Sequence, residues 1–297
     1  MKKSNSIFIF LFTAIIICSC SKERIEQVEE TQLNEYESMN NYFDSKKQEE
    51  QEFVIDTSGS GPIVGNQGTK IWASKEKLMY PNGDSVHWPY TVKLIELYTA
   101  KDMIYYQMPN VSSGSLLTTC GEVRIRAFKD GQELVLRPSE TWPVEIPCAS
   151  PLSNMKIFYG QASTNFVDWT TTPASVFTNT SYGYIGEIAT LGWVLCGKAA
   201  SVSATTSNYS FTSSTDNLQN VSTFIYFPVV SCLMQVYNQS SGALPLGENI
   251  KIILMGINSS GQLFHYYSET QVGSSTQIDL TLTQISDPDL TAILDSL

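Results

Sequence analysis

The chain has 297 residues, 42% of them apolar and 16% charged, with a formal net charge of −11. That length suits one large or two ordinary domains, and low charge with abundant Ser, Thr, Asn, Tyr and Val is the palette of extracellular β-proteins. An acidic chain excludes nucleic acid as the expected partner, because phosphate binding needs clustered Lys and Arg.

A basic start (Lys2, Lys3) precedes an apolar run from Ile7 to Ile17, after which the composition turns charged at Ser21-Lys-Glu-Arg24. The run is about half the roughly twenty residues a bilayer span needs, so residues 1–19 read as a secretory signal peptide. The stretch Ile17-Cys-Ser-Cys20 resembles a bacterial lipobox. That resemblance implies that the Cys20 thiol is acylated (palmitate) and becomes the new N-terminus, making the chain a membrane-held lipoprotein. Ser21-Lys-Glu23 resembles the short export tag that sends such lipoproteins to the outer face of the outer membrane, so the implied address is the cell surface.

Residues 20–60 read as an acidic tether. Residues 21–52 hold ten acidic side chains against Lys22, Arg24, Lys46 and Lys47, a charge that anionic headgroups would repel. Ile25, Val28, Leu33, Tyr36, Met39 and Phe43 share one face at helical spacing, so Arg24–Phe43 is read either as an amphipathic helix or as a solvated tether with scattered apolar residues. Thr57-Ser-Gly-Ser-Gly-Pro62 is a flexible joint.

From Ile63 onward the pattern is short strands between turn signals. Residues 61–150 offer strands at Thr69–Ser74, Val86–Tyr98, Ile104–Met108, Glu122–Phe128 and Thr141–Ile146. Asp130-Gly131 marks a hairpin into Glu133–Leu136. Residues 151–297 offer Met155–Tyr159, Tyr182–Ile188, Gly192–Leu195, Thr223–Phe227, Cys232–Tyr237, Asn249–Asn258, Leu263–Glu269 and Gln277–Leu282. Asn249–Asn258 is apolar on both sides, which marks a central strand. A short helix with Asp287 as its cap and Pro288 at its first position ends the chain. The expected fold is all-β, with two β-sandwich-like domains behind the tether.

Cys18 leaves with the signal and Cys20 carries the lipid, which leaves Cys120, Cys148, Cys196 and Cys232. An exported protein sits where disulfides persist. Proximity among the strands favours Cys120–Cys148 and Cys196–Cys232, against the alternative of four buried thiols acting as small hydrophobes. No pair has the spacing of a zinc site.

Catalytic signals are sparse. His87 and His265 are the only histidines, each in a strand without an HExxH partner, and both read as structural. Gly59, Gly61, Gly65 and Gly68 lead into a strand rather than the helix N-terminus a phosphate loop requires. No cofactor is expected. Glu96, Asp102, Glu122, Asp168 and Glu187 are the acids a glycosidase pair would draw on, but each reads as a strand or turn residue. Aromatics are the better lead, with five Trp and fifteen Tyr. Tyr159, Asp168, Trp169, Tyr182 and Tyr184 form the candidate ligand-binding cluster, since exposed rings on a sandwich stack on sugars or anchor partners.

Gly65-Asn-Gln-Gly-Thr-Lys-Ile71, Pro81-Asn-Gly83 and Val92-Lys-Leu-Ile-Glu-Leu97 resemble the opening of ZU5-like modules. Gly114-Ser-Leu-Leu-Thr-Thr119, Gly121-Glu122 and Ala127-Phe-Lys-Asp-Gly131 continue a similarity to Bacteroidota lipoproteins carrying such a module, over residues 61–147. Where better-studied ZU5 domains carry Ile-Pro-Pro-Gly-Ala, this chain reads Lys77-Leu-Met-Tyr-Pro-Asn-Gly83. The resemblance implies an envelope β-sandwich and supplies no catalytic residues. The expected function is a non-enzymatic binding or assembly role toward another envelope protein or a polysaccharide. The alternatives are an extracellular glycan- or peptide-acting hydrolase and a structural subunit of an outer-membrane complex.

Overall fold

The computed structural model describes residues 32–57, 61–162, 167–274 and 276–297. The expected signal peptide, Cys20 and the first part of the expected tether lie outside them. In chain order, helix α1 (Asn40–Lys46) precedes β1 (Gln51–Ile55), β2 (Ile63–Val64), β3 (Lys70–Ile71), β4 (Leu78–Met79) and β5 (Tyr90–Leu97). Helix α2 (Ala100–Tyr106) leads to β6 (Val111–Ser112), β7 (Ser115–Lys129), β8 (Gln132–Glu133), β9 (Val135–Leu136) and β10 (Trp142–Pro147). Next come β11 (Lys156–Ala162), β12 (Val167–Thr170), β13 (Phe177–Asn179), β14 (Gly183–Ile188) and β15 (Gly192–Ala199). The rest of the chain supplies β16 (Thr206–Ser207), β17 (Ser210–Thr212), β18 (Ser222–Phe227), β19 (Cys232–Val236) and β20 (Leu244–Pro245). It closes with β21 (Asn249–Ile257), β22 (Leu263–Gln271), β23 (Gln277–Asp279), β24 (Thr283–Ile285) and helix α3 (Asp287–Asp295).

Local chemistry accounts for the joints. Asp130 and Gly131 sit at positive φ and close a two-residue turn that pairs Lys129 with Gln132, as the right-handed twist of a hairpin requires. Residues 104–108 were expected as strand, but Ala100–Tyr106 is helix. Thr99 Oγ1 accepts from Asp102 N at 3.1 Å and donates to Asp102 Oδ2 at 2.7 Å, a capping pair that nucleates the first turn. Gln107, in the left-handed region, ends that helix. The terminal helix forms as expected, with Ser286 rather than Asp287 as its cap.

Among the described residues, three sheets of five or more strands stack with three cores, and three two-stranded pairs accompany them. An eight-stranded sheet runs β1-β5-β7-β15-β11-β12, with β6 and β8 also on β7. Its first face (Val92, Leu94, Val123, Ile125, Ile157, Val194) packs on the five-stranded sheet β13-β14-β10-β3-β2 through Ile71, Trp142, Val144, Tyr184 and Ile188. Its second face is equally apolar. There Ile95, Leu97, Leu117, Phe158 and Leu195 meet Met39 and Phe43 from the α1 segment, Met103 and Ile104 of α2, Leu290 and Leu294 of α3, and Phe224, Leu233 and Ile253 of a third sheet. That sheet, β19-β18-β21-β22-β24, has β21 at its centre, as the two-sided apolar pattern predicts. Its far face is covered by Tyr209, Phe211, Leu244, Leu280 and Leu282.

The all-β class stands, but the expected organisation does not. β11, β12 and β15 complete the sheet begun by β1, β5 and β7, and β13 and β14 pair onward from β10. A domain ending at residue 150 would leave β7 with a bare edge, so the chain crosses that boundary and Leu33–Leu297 is one compact unit. The tether is also shorter than expected. Tyr36, Met39 and Phe43 are at most 4% exposed, and β1 pairs with β5 from Gln51↔Leu94 to Ile55↔Tyr90. Of the apolar stripe that would form one face if Arg24–Phe43 were helical, Ile25 and Val28 lie outside the described residues, while Tyr36 joins the third core from non-helical chain and Met39 and Phe43 join the second at the start of α1 and within it. Among the described residues, no helix is long and apolar enough to cross a membrane.

Candidate functional site

Residues 109–114 fasten two sheet edges together. β12 is an edge of the eight-stranded sheet and β19 an edge of the third sheet. On one side the fully buried Trp169 donates its indole N–H to Pro109 O at 2.7 Å. Ser112 Oγ donates to Trp169 O, and Ser113 N donates to Asp168 Oδ1 at 2.8 Å. On the other side Asn110 N donates to Leu233 O at 2.8 Å, and Leu233 N returns a bond to Asn110 Oδ1 at 2.9 Å. Asn110 Nδ2 also donates to Glu122 Oε1.

An open groove of about 510 Å³ lies along this bridge, lined by Pro109, Val111, Val167, Asp168, Met234 and Tyr237 together with Gln235 and small residues of the neighbouring turns. Among the described residues, Asp168 is the one charged residue that lines it. Its Oδ1 is held by Ser113 N and Trp169 N, while Oδ2 has no partner among the described residues. Tyr237 is 38% exposed and donates its hydroxyl to Gln235 Oε1 at 3.1 Å.

The β19 edge is only partly satisfied. Leu233 directs its N–H and C=O away from β18, toward Asn110. Strand geometry alternates every residue, so Gln235 directs its own pair the same way. No described group meets them.

Behind the bridge, Glu122 is fully buried, with Oε2 unpartnered. Burial holds its carboxyl well above the usual carboxylate range, against the lowering effect of Asn110. The neighbouring Cys232 donates to Asn110 O at 3.3 Å, and burial pushes its thiol up to about 12.

Cys120 and Cys148 form a disulfide with Cα atoms 6.2 Å apart. Cys196 and Cys232 do not pair. They are separate buried thiols, one in the first core and one in the third.

The aromatic cluster expected at Tyr159, Asp168, Trp169, Tyr182 and Tyr184 is not one site. Tyr159 and Trp169 belong to the eight-stranded sheet, whereas Tyr184 lies in the opposing five-stranded one. Tyr159 accepts from Ala189 N at 2.9 Å, and Tyr182 donates to Gly68 O at 2.7 Å beneath the Lys70 ammonium. Tyr184 is fully buried against Leu152 N. Asp168 alone lines the groove, with Trp169 acting as its internal brace. Sequence reasoning missed Tyr237, Met234 and the 109–114 bridge. Their one linear signal is the polar turn Asn238-Gln-Ser-Ser-Gly242 after an alternating strand.

The other acids are engaged structurally. Glu96 is fully buried and accepts from Thr69 N, Gln67 N and Gln51 Nε2, each at 2.9 Å. Gly65 is required beside it, since a Cβ there would stand 2.6 Å from the Glu96 carboxyl. Asp102 Oδ2 accepts from the hydroxyl of the α2 cap Thr99 at 2.7 Å, and Glu187 accepts from Thr141 Oγ1 at 2.7 Å. His87 is exposed, and His265 Nδ1 lies 3.3 Å from Thr283 O. Among the described residues, no group of three His, Cys, Asp or Glu is placed to hold a metal. No protein-family model, curated protein or solved structure matches the chain.

Proposed function

We propose that this chain is a lipoprotein of the outer membrane, anchored by acyl chains on Cys20 and facing the cell exterior, with ZU5-like opening strands. Its role is non-enzymatic binding or assembly with an envelope protein or a polysaccharide. The groove between β12 and β19 carries this reading. It is apolar, open and single-charged, and both of its walls are fixed to the core through Trp169 and Asn110. Such preformed apolar concavities with a few aimed polar groups are where ligands bind. Recognition is favoured over hydrolysis because Glu96, Asp102 and Glu187 are spent on a loop clamp, a bond to a helix cap and a surface hydrogen bond.

A photo-crosslinking residue in place of Tyr237, in the full chain expressed in its own cells, tests this directly. A discrete crosslinked species that is absent when the same residue replaces exposed Val176 supports the groove. Identical products from both positions reject it.

A further inference from the structure

We propose that the groove's occupant is an extended peptide segment bearing a lysine or arginine, laid as an added strand at the Gln235 end of the β19 edge, beyond the part that Asn110 pairs. This rests on the groove being the recognition site and specifies what fills it. The Gln235 N–H and C=O, one strand period beyond the pair that Asn110 satisfies, offer a donor and an acceptor in strand register. An unpaired sheet edge is a template for another extended chain, which gains affinity from main-chain bonds and specificity from alternate side chains.

The walls set the side chains. On the added strand, one alternating set would face Pro109, Val111 and Met234, so those positions are apolar. Oδ2 of Asp168 has no partner among the described residues, and in a chain whose own charge is −11 a cation on the occupant would complement it. A carboxylate with its other oxygen pinned by two N–H groups is already oriented for a charge-assisted bond. Pro109, Val111, Val167 and Met234 form an apolar floor suited to apolar side chains, and the polar residues Ser113, Asp168, Gln235, Tyr237 and Ser240 flank it. The volume of about 510 Å³ falls within the range of pockets that hold ligands.

The test selects a displayed library of random seven-residue peptides on the immobilised full chain. Gly242→Trp serves for counter-selection, because Gly242 is exposed and a Cβ there makes only ordinary contact, 3.5 Å from Met234 Cε. Enriched peptides should alternate apolar residues and carry Lys or Arg. Their affinity should fall at least tenfold with Asp168→Asn, at an unchanged thermal midpoint. N-methylating alternate peptide amides should abolish binding in one of the two registers and spare the other. No enrichment, or binding indifferent to both Asp168→Asn and N-methylation, overturns the proposal. Cello-, manno- or chito-oligosaccharides that bind the wild type but not Gly242→Trp would overturn the peptide and keep the groove. If neither class binds and Tyr237 yields no specific crosslink, both readings fail.

Discussion

Asp216 is 2% exposed and receives Asn34 Nδ2, Tyr36 Oη, Ser213 Oγ, Thr215 Oγ1 and Leu282 N, all within 3.1 Å. Burial raises its pKa, but the bonds from Asn34, Tyr36, Thr215 and Leu282 outweigh that and leave it below the usual carboxylate value. A depressed folded pKa stabilises the fold above the unfolded value of about 3.9, and that stability is lost as pH falls through the folded value. Asp216→Ala strands several donors. We expect a loss of about 2–3 kcal/mol at pH 7 in urea unfolding, shrinking toward pH 3. An undiminished deficit in acid would contradict the linkage.

Glu122 behaves in the opposite sense. Its folded pKa is raised by burial, so the folded state holds a proton that the unfolded chain releases above about pH 4.3. Each further pH unit then costs about 1.4 kcal/mol until the folded pKa is reached. Glu122→Gln keeps an acceptor for Asn110 and removes that slope. Its urea midpoint should exceed the wild type's at pH 8 and converge with it near pH 4. Parallel pH profiles for the two proteins would rule out a buried neutral acid. Neither residue's environment was legible in sequence, because Asp216 draws its partners from positions 34, 36 and 282, and Glu122 lies in an alternating segment that reads as half-exposed.

Among the elements, the segment from Asn34 to Ile55 separates a body part from a tether. Asn34 N donates to Thr215 O and Asn34 O accepts from Asn217 N, Phe43 is fully buried, and Lys46 and Tyr42 both bind Asp287 of α3. Arg126 grips Glu50 with three bonds of 3.1, 2.8 and 2.6 Å, so part of the acidic charge read as tether serves the body. Phe43→Ala should cost about 3–5 kcal/mol, measured by chemical denaturation. A cost under 0.5 kcal/mol would return the segment to the tether. Hairpin and cap chemistry was readable where it is local, as at Asp130-Gly131 and Pro288. It was also present but overlooked at Thr99-Ala-Lys-Asp102, whose spacing marks a helix start. For Arg24–Phe43 the sequence offers an amphipathic helix or a solvated tether, and neither describes residues 33–43, where Tyr36, Met39 and Phe43 are buried and only Phe43 lies within α1.

For the whole molecule, the β class followed from alternation and turn spacing, while the layering did not. The eight-stranded sheet is apolar on both faces, and only its partners reveal this: the five-stranded sheet on one side, the helices and third sheet on the other. The groove was hidden for the same reason, since its walls come from residues 109–114, 167–168 and 234–242, and no window of sequence contains them. At this scale, Cys20→Ala is expected to shift the protein from the membrane to the soluble fraction and to abolish palmitate incorporation. Equal labelling with and without the thiol would refute the anchor.

Hydroxyl-radical footprinting tests the groove as the place of engagement, comparing the full chain in isolated cell envelopes with the purified protein. Tyr237 oxidation should drop several-fold in the envelope while Tyr182, across the first core, keeps its rate. Equal oxidation of Tyr237 in both states would contradict a recognition role for this groove.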